Sequence, residues 1–452
     1  MDNLLERASI VLTPTAYNDA ELLCVKPEDG SGDFDFSRNS SATRVNAQGL
    51  VEDVQILSSD LVQNGDFSNG STDWSFTSGA FLTDIGARLT HTPTAGVLTS
   101  DGYSPLVVGN NYKMTYEITQ SISGGIKLNS AVDRTMVSTV GVHTKYFEAD
   151  AVSIGFARTD NTANDVTIDN ISVKEVTNDT NLPRINYENG CGHLLFEPQS
   201  TNLYLNSEIL ATQTVTTTAI DYTVSFYGTG TVTFSGSFVG SLVGTGVNDR
   251  VSLTFTATAG TLTSTISGSV TKGQCEALSY ATSYIPTSGV IETRNQDLCT
   301  GGGSVSTISS TEGTLYFEGS ALADDGTTRH ISISDGTTSN AINIYYFASG
   351  GVMFFQKFVN GVRTTNVNTT SITKTDFNKI AVRYNSTEFS VFANGVNILN
   401  NADTNVFAPN TLNTLQFTSA NGTSSPFFGK TKALAVWKEA LSDQELLELT
   451  TL

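Results

Sequence analysis

The side chains able to do chemistry are few and scattered. His91, His143, His193 and His330 sit in unrelated sequence contexts, and no G-x-S-x-G turn presents a nucleophilic serine. Each histidine reads as a surface or packing residue rather than a general base. Cys24, Cys191, Cys275 and Cys299 include no C-x-x-C pair, so neither a zinc knuckle nor a disulfide framework is supported, and free thiols are expected. Cys191-Gly192-His193 brings two metal-ligand types together but has no further ligands at zinc spacing. Glycoside hydrolysis needs two carboxylates across a cleft. The string nearest to a paired-carboxylate strand, E-x-D-x-x-E, starts at Glu148 and ends in Ser153. No enzyme is expected from these residues. Aromatic side chains beside short polar ones would instead suit sugars, which are held on aromatic platforms in concave faces. The candidates are Trp74, Tyr103, Tyr112 and Tyr116, and further along Tyr345, Tyr346, Phe354 and Phe355. Trp437 lies in an alternating strand and is expected in the core.

The elements that would carry these residues follow from composition. At ~150 residues per domain, 452 residues imply about three domains. Charged residues are only 15%, against an average of ~25%, and Thr, Ser, Asn and Gly take their place. Such a chain is poor in helix formers and rich in strand and turn formers. The fold class is therefore all-β, with several β-sandwich or jelly-roll modules in tandem. The net charge of −20 argues against nucleic acid and against anionic membrane surfaces. The opening MDNLLERASI has neither a basic nor an apolar leader region, so no signal peptide is expected. No apolar run approaches the ~20 residues of a membrane span, so no membrane insertion is expected either.

Four segments emerge along the chain. Residues 1–57 carry short strand-like runs broken by Pro14 and Pro27. Residues 58–176 contain several short strands and close on DVTIDNISVKEV, where Asp169–Asn170 between apolar pairs predicts a bulge. Residues 177–300 show clear alternation: Tyr222, Val224 and Phe226 face one way, Thr223 and Ser225 the other. The glycines at 301–303 read as a flexible linker. Residues 301–452 are strand-rich and end in one helix. Its N-cap is Ser442, Glu445 completes a capping box, and Leu441 and Leu446 form a hydrophobic staple.

Three resemblances rest on these residues. NKIAVRYNSTEFSVFANGVNI, with its Asn394-Gly395 turn, and GKTKALAVWKEALSDQELLEL resemble a concanavalin A-like (laminin G-type) jelly roll over the C-terminal region. Asn64 to Phe67, Trp74, and Ile168 to Val173 resemble the ends of carbohydrate-binding jelly-roll modules. That second resemblance implies a structural calcium near the first and last strands, held by Asp66 and Asp169, since a hard cation takes carboxylate and backbone oxygens. FSRNSSATRVNAQGLVED, PRINYENGCGHLLFEPQSTNLYLNSE and EALSYATSYIPTSG resemble the landmarks of a module of bacteriophage tail-fibre and capsid-fibre proteins. The first two usually lie close together, so 58–176 reads as an insertion into that module, and 1–57 with 177–300 as its two parts.

The resemblances imply a structural protein of a tailed-phage virion, displayed on the particle surface and made in the host cytoplasm without an export signal. It would bind cell-surface or environmental glycans, contact other virion proteins, and assemble as a homotrimer. The rival readings are a virion glycan depolymerase and a purely structural virion protein.

Overall fold

The computed structural model describes residues 2–77, 79–91, 97–159, 163–348 and 351–451. The all-β expectation holds. Two short helices, Asp2–Arg7 and Asp443–Thr450, accompany many strands among these residues. The first helix was not foreseen from MDNLLERASI. The chain divides into two compact units, one formed by Gln55–Asp179 and the other by Met1–Val54 with Thr180–Leu452.

In the Gln55–Asp179 unit a six-stranded and a four-stranded sheet enclose one apolar core. The long strand Asp165–Asn178 pairs with Asn111–Ser123 on one side and Gly86–Thr90 on the other. Its register slips between Thr115 and Glu117, opposite Ser172 and Asp169. Asn170 adopts φ 49° there. This is the bulge read from the Asp169–Asn170 interruption. The short strand Ile56–Leu57 pairs with the far end of the same long strand, so the two ends of the unit are joined to each other.

The second unit holds two sandwiches. The smaller one sets Gln213–Thr217, Gly260–Ser267, Thr231–Gly236 and Gly240–Val243 against Gly246–Thr256, Asp221–Gly228 and Val270–Glu276. Tyr222, Val224 and Phe226 enter its core, as their alternation requires. Thr223 and Ser225 on the opposite face are also buried; Thr223 Oγ1 bonds the Leu278 carbonyl at 2.8 Å, and Ser225 Oγ accepts from Arg250 at 2.8 Å.

The larger sandwich packs an eight-stranded sheet on a five-stranded one. Its eight-stranded sheet is assembled from distant parts of the chain. Gly429–Trp437 pairs with Gly313–Ala321, with Ile10–Leu12 and with Cys191–Phe196. One core runs from Ile10 and Phe34 through Leu194 to Val436. The expected linker at 301–303 is ordered instead. Gly302 exchanges backbone hydrogen bonds of 3.0 and 2.6 Å with Leu415, and a Cβ there would stand 2.5 Å from the Phe34 ring. Glycine serves close packing at this point, not flexibility.

Of the three segments that resemble fibre-module landmarks, the first supplies Arg38 and the second Arg184 and Glu197 to a buried ionic network; Ser283 of the third donates to Glu197 at 2.7 Å, and Arg294 and Asp297 follow just beyond it. Arg38 pairs with Asp297 at 3.1 Å, Arg184 with Glu197 at 2.5 Å and also with Asp297, and Arg294 with Glu197 at 3.0 Å. The nearby carboxylate of Glu276 accepts from Ser200 Oγ at 2.6 Å and the Thr282 N–H at 3.0 Å. Burial by itself would raise the Glu197 carboxyl, but Arg294 and Arg184 hold it down at about 2. Three guanidiniums therefore share two carboxylates in the interior; removing Asp297 strands the buried Arg38, and removing Glu197 strands the buried Arg294.

Candidate functional site

Strand alternation fixes what each face of the five-stranded sheet presents. Ile331, Ile333, Ile342, Ile344, Met353 and Phe355 point into the core. The intervening residues, His330, Ser332, Asn343, Tyr345, Phe354 and Gln356, therefore point outward. Register places them in two rows across the strands. One row is His330, Tyr345, Phe354 and Asn368; the other is Gln416, Ser332, Asn343, Gln356 and Asn366.

The first row is an aromatic patch. The His330 and Tyr345 rings meet edge to face at 4.1 Å, Tyr345 lies 5.8 Å from Phe354, and Phe347 joins both at 5.7 and 5.4 Å. Tyr345, Phe347 and Phe354 keep part of their surface in solvent. The second row is made of amides and hydroxyls. Gln356 donates to Asn366 at 2.9 Å. Ser332 and Ser334 donate to the carbonyls of Thr418 and Ala420 at 2.9 and 2.8 Å, so the 418–424 loop folds back over this edge of the face. Asn343 Oδ1 and both ring nitrogens of His330 are buried without a hydrogen-bond partner. Burial lowers His330 to about 4, so its imidazole is neutral at pH 7. Neither row contains a charged side chain. Ser332, Asn343, Gln356 and Gln416 are buried, so what the face offers a ligand is the partly exposed ring surface of Tyr345, Phe347 and Phe354, the kind of platform on which sugar rings stack.

The outer face of the eight-stranded sheet is closed differently. Tyr316, Ala381, Phe392, Ala435 and Trp437 pack beneath Leu441, Leu446 and Leu449, together with Leu4. The Trp437 indole N–H donates to the Leu4 carbonyl at 2.8 Å. The helix Asp443–Thr450 that seals this face has the full capping box read from Ser442 and Glu445.

Of the sugar-contact candidates, Tyr345, Phe354 and Tyr103 are partly exposed and the others are buried. Tyr346 and Phe355 alternate inward and are fully buried. Trp74 is 4% exposed; its N–H donates to Asn64 O at 2.9 Å, and Phe67 and Phe156 pack around it. Tyr112 stacks on Phe147, and its hydroxyl accepts the Val107 N–H at 2.8 Å. Tyr116 donates to Val137 O at 2.9 Å. These rings fill the core of the Gln55–Asp179 unit, where a large apolar body with one satisfied polar tip is most stable. Tyr103 is half-buried and accepts from the Gln63 N–H at 3.1 Å. Sequence reading missed His330 and Phe347; the period-2 pattern of RHISIS and NAINIYYF could have placed them on the outer face with Tyr345.

Asp66 and Asp169 lie close enough to influence each other. Burial raises Asp169, the Asn170 N–H opposes that, and Glu117 and Asp66 add to the rise. Asp66 is exposed and already accepts from Ser68 N and Oγ at 3.2 and 2.9 Å, which lowers it. Among the described residues no three His, Cys, Asp or Glu side chains converge into a metal-holding group, Cys191 and His193 included.

The geometry of the larger sandwich agrees with a comparison against protein families. Residues 306–447 match the concanavalin A-like lectin/glucanases superfamily. The concanavalin A-like region thus contains both rows of the outer face and the first part of the sealing helix. Strands Ile10–Leu12 and Cys191–Phe196 extend its eight-stranded sheet from outside the match. No curated protein matches the chain. Among solved structures, a carbohydrate-binding module of the Ruminococcus gnavus IT-sialidase, bound to α2,3-sialyllactose, is similar at 17% identity and a TM-score of 0.28, covering 34% of this chain and 94% of that one. Domain 4 of the Geobacillus stearothermophilus extracellular arabinanase AbnA, in complex with arabinotriose, is similar at 12% identity and a TM-score of 0.29, covering 34% and 73%. Superpositions this partial carry no weight for function.

Proposed function

We propose that this chain is a glycan-binding structural protein of a tailed-phage virion, and that the partly exposed aromatic row on the outer face of its concanavalin A-like region is the glycan site. The observation that carries the binding reading is the partly exposed ring cluster of Tyr345, Phe347 and Phe354, backed by His330. Tyr345 and Phe354 stack on a sugar ring. The two rows hold no carboxylate pair, which favours binding over hydrolysis. The virion reading rests on the three landmark-like segments; the first two supply Arg38, Arg184 and Glu197 to one buried ionic network and the third bonds it through Ser283, which supports reading them as one module interrupted by Gln55–Asp179. Surface display, partner virion proteins and trimeric assembly belong to the same reading. Calcium at Asp66 and Asp169 is a further part of it; their mutual repulsion is what a cation would relieve.

A glycan array probed with the multivalent full chain tests the binding reading. Signals for neutral oligosaccharides that vanish in Tyr345→Ala support it, and silence at high valency favours a purely structural protein. Reducing-end release from a bound polysaccharide would establish a depolymerase instead. Immunoblots of purified phage particles test the virion reading, and absence of this polypeptide from them refutes it.

A further inference from the structure

Strand Gly429–Trp437 carries Trp437 under the helix at one end and two lysines, Lys430 and Lys432, near the other. At the lysine end lies a cleft of ≈ 410 Å³ between the hairpin Ile185–Glu188/Cys191–Phe196 and the segment that precedes strand Asn378–Tyr384. That volume lies within the range of small-ligand sites. The cleft is separate from the sheet face described above, and its lining has a different character.

Lys430 is neutralised by Glu188 at 2.5 Å. Lys432 is not neutralised: its ammonium sits 4.0 Å above the Phe377 ring, and among the described residues no carboxylate pairs with it. His193 is 1% exposed and meets Phe377 edge to face at 6.2 Å. Burial lowers this imidazole to about 4, and Lys430 pushes in the same direction more strongly than Glu188 pushes back. The floor is therefore uncharged and lies in a positive local field. Asp376 is exposed and lines the same cleft. One free cation, one apolar ring wall and one free carboxylate acceptor are thus gathered around a single cavity.

We propose that this cleft binds an acidic sugar. Lys432 pairs with the sugar's carboxylate, Phe377 bounds its C–H face, and Asp376 accepts from its hydroxyls. A simple anion would leave Asp376 opposed to it, and a neutral sugar would leave Lys432 unused. A hydroxylated carboxylate satisfies both.

The test is calorimetric titration of the full chain with a glucuronate-terminated oligosaccharide and with the same oligosaccharide after reduction of the carboxyl to an alcohol. The expected result is binding of the acid form, weakened roughly tenfold or more on carboxyl reduction, since one charge-assisted contact is lost. Lys432→Met loses a similar factor while its thermal unfolding stays unchanged, and Lys432→Arg retains most of the affinity. Added salt weakens the acid form selectively. Tyr345→Ala leaves this titration unaltered, which separates the cleft from the sheet-face site. Absence of binding, equal affinity for the two oligosaccharides, or full affinity in a folded Lys432→Met protein overturns the proposal.

Discussion

On one outer face of the concanavalin A-like jelly roll, Trp437, Ala435 and Phe392 lie beneath the helix Asp443–Thr450 and Leu4. On the other, Tyr345, Phe347 and Phe354 lie at the surface. Both faces are built by the same two-residue alternation on the same sandwich, and both carry large rings. The difference lies in their covers: an amphipathic helix with a complete cap closes the rings of one face, whereas on the other the row Ser332, Asn343, Gln356 and Gln416 is buried and the rings Tyr345, Phe347 and Phe354 stay partly exposed. An aromatic residue in a strand is therefore no sign of a binding site until its cover is known. The Gln55–Asp179 unit teaches the same lesson, since Trp74, Tyr112 and Tyr116 have ring types suited to sugar contact and all serve packing.

The comparison can be broken by mutation. Trp437→Ala should lose roughly 3–5 kcal/mol in denaturant unfolding, as a fully buried indole does, whereas Tyr345→Ala should change stability by less than about 1 kcal/mol. Equal losses would show that the open face is structural as well. Acid comes next. His330 and His193 have folded values near 4 against an ordinary 6.5. Below pH 6.5 the unfolded chain takes up protons that the folded chain does not, so this stabilisation is complete above about pH 6.5 and is lost as pH falls towards 4. Unfolding midpoints measured across that window should drop, and less so in His330→Phe. A flat profile would contradict the buried, neutral imidazoles. A smaller effect is expected in binding: Tyr345→Ala should weaken the retained neutral glycan by about tenfold, or ~1.4 kcal/mol, with Trp74→Phe unchanged. The smallest is Ser442→Ala, which removes the cap of the sealing helix and should lower stability by about 1 kcal/mol.

Features set by local chemistry were legible in the sequence. The capping box at Ser442 and Glu445, the Asn394-Gly395 turn at φ 49° and 76°, the bulge at Asp169–Asn170 and the burial of Trp437 all arise from a few adjacent residues. The features that stayed hidden depend on partners far away in the chain. Nothing near Gly302 announces that Phe34 and Leu415 will close around it, so its glycine run looked like a linker. Arg38, Arg184 and Arg294 each look like solvated surface residues until three segments fold together. The aromatic candidates went wrong for a related reason. Residue type gave the chemistry, but Tyr345 and Tyr346 are neighbours that point to opposite sides of one sheet.

Pairing of Ile10–Leu12 with Gly429–Trp437 also sets a schedule for synthesis. Chains emerge N-terminus first and domains fold as units. The Gln55–Asp179 unit holds all its own strands and can close soon after residue 179 has left the ribosome. The opening fifty-odd residues were made earlier yet must wait, with Ile10, Leu12, Phe34 and Phe36 uncovered, until nearly the last strand arrives. A ribosome that stalls between these two moments would leave the Gln55–Asp179 unit finished and the apolar residues before it exposed and sticky.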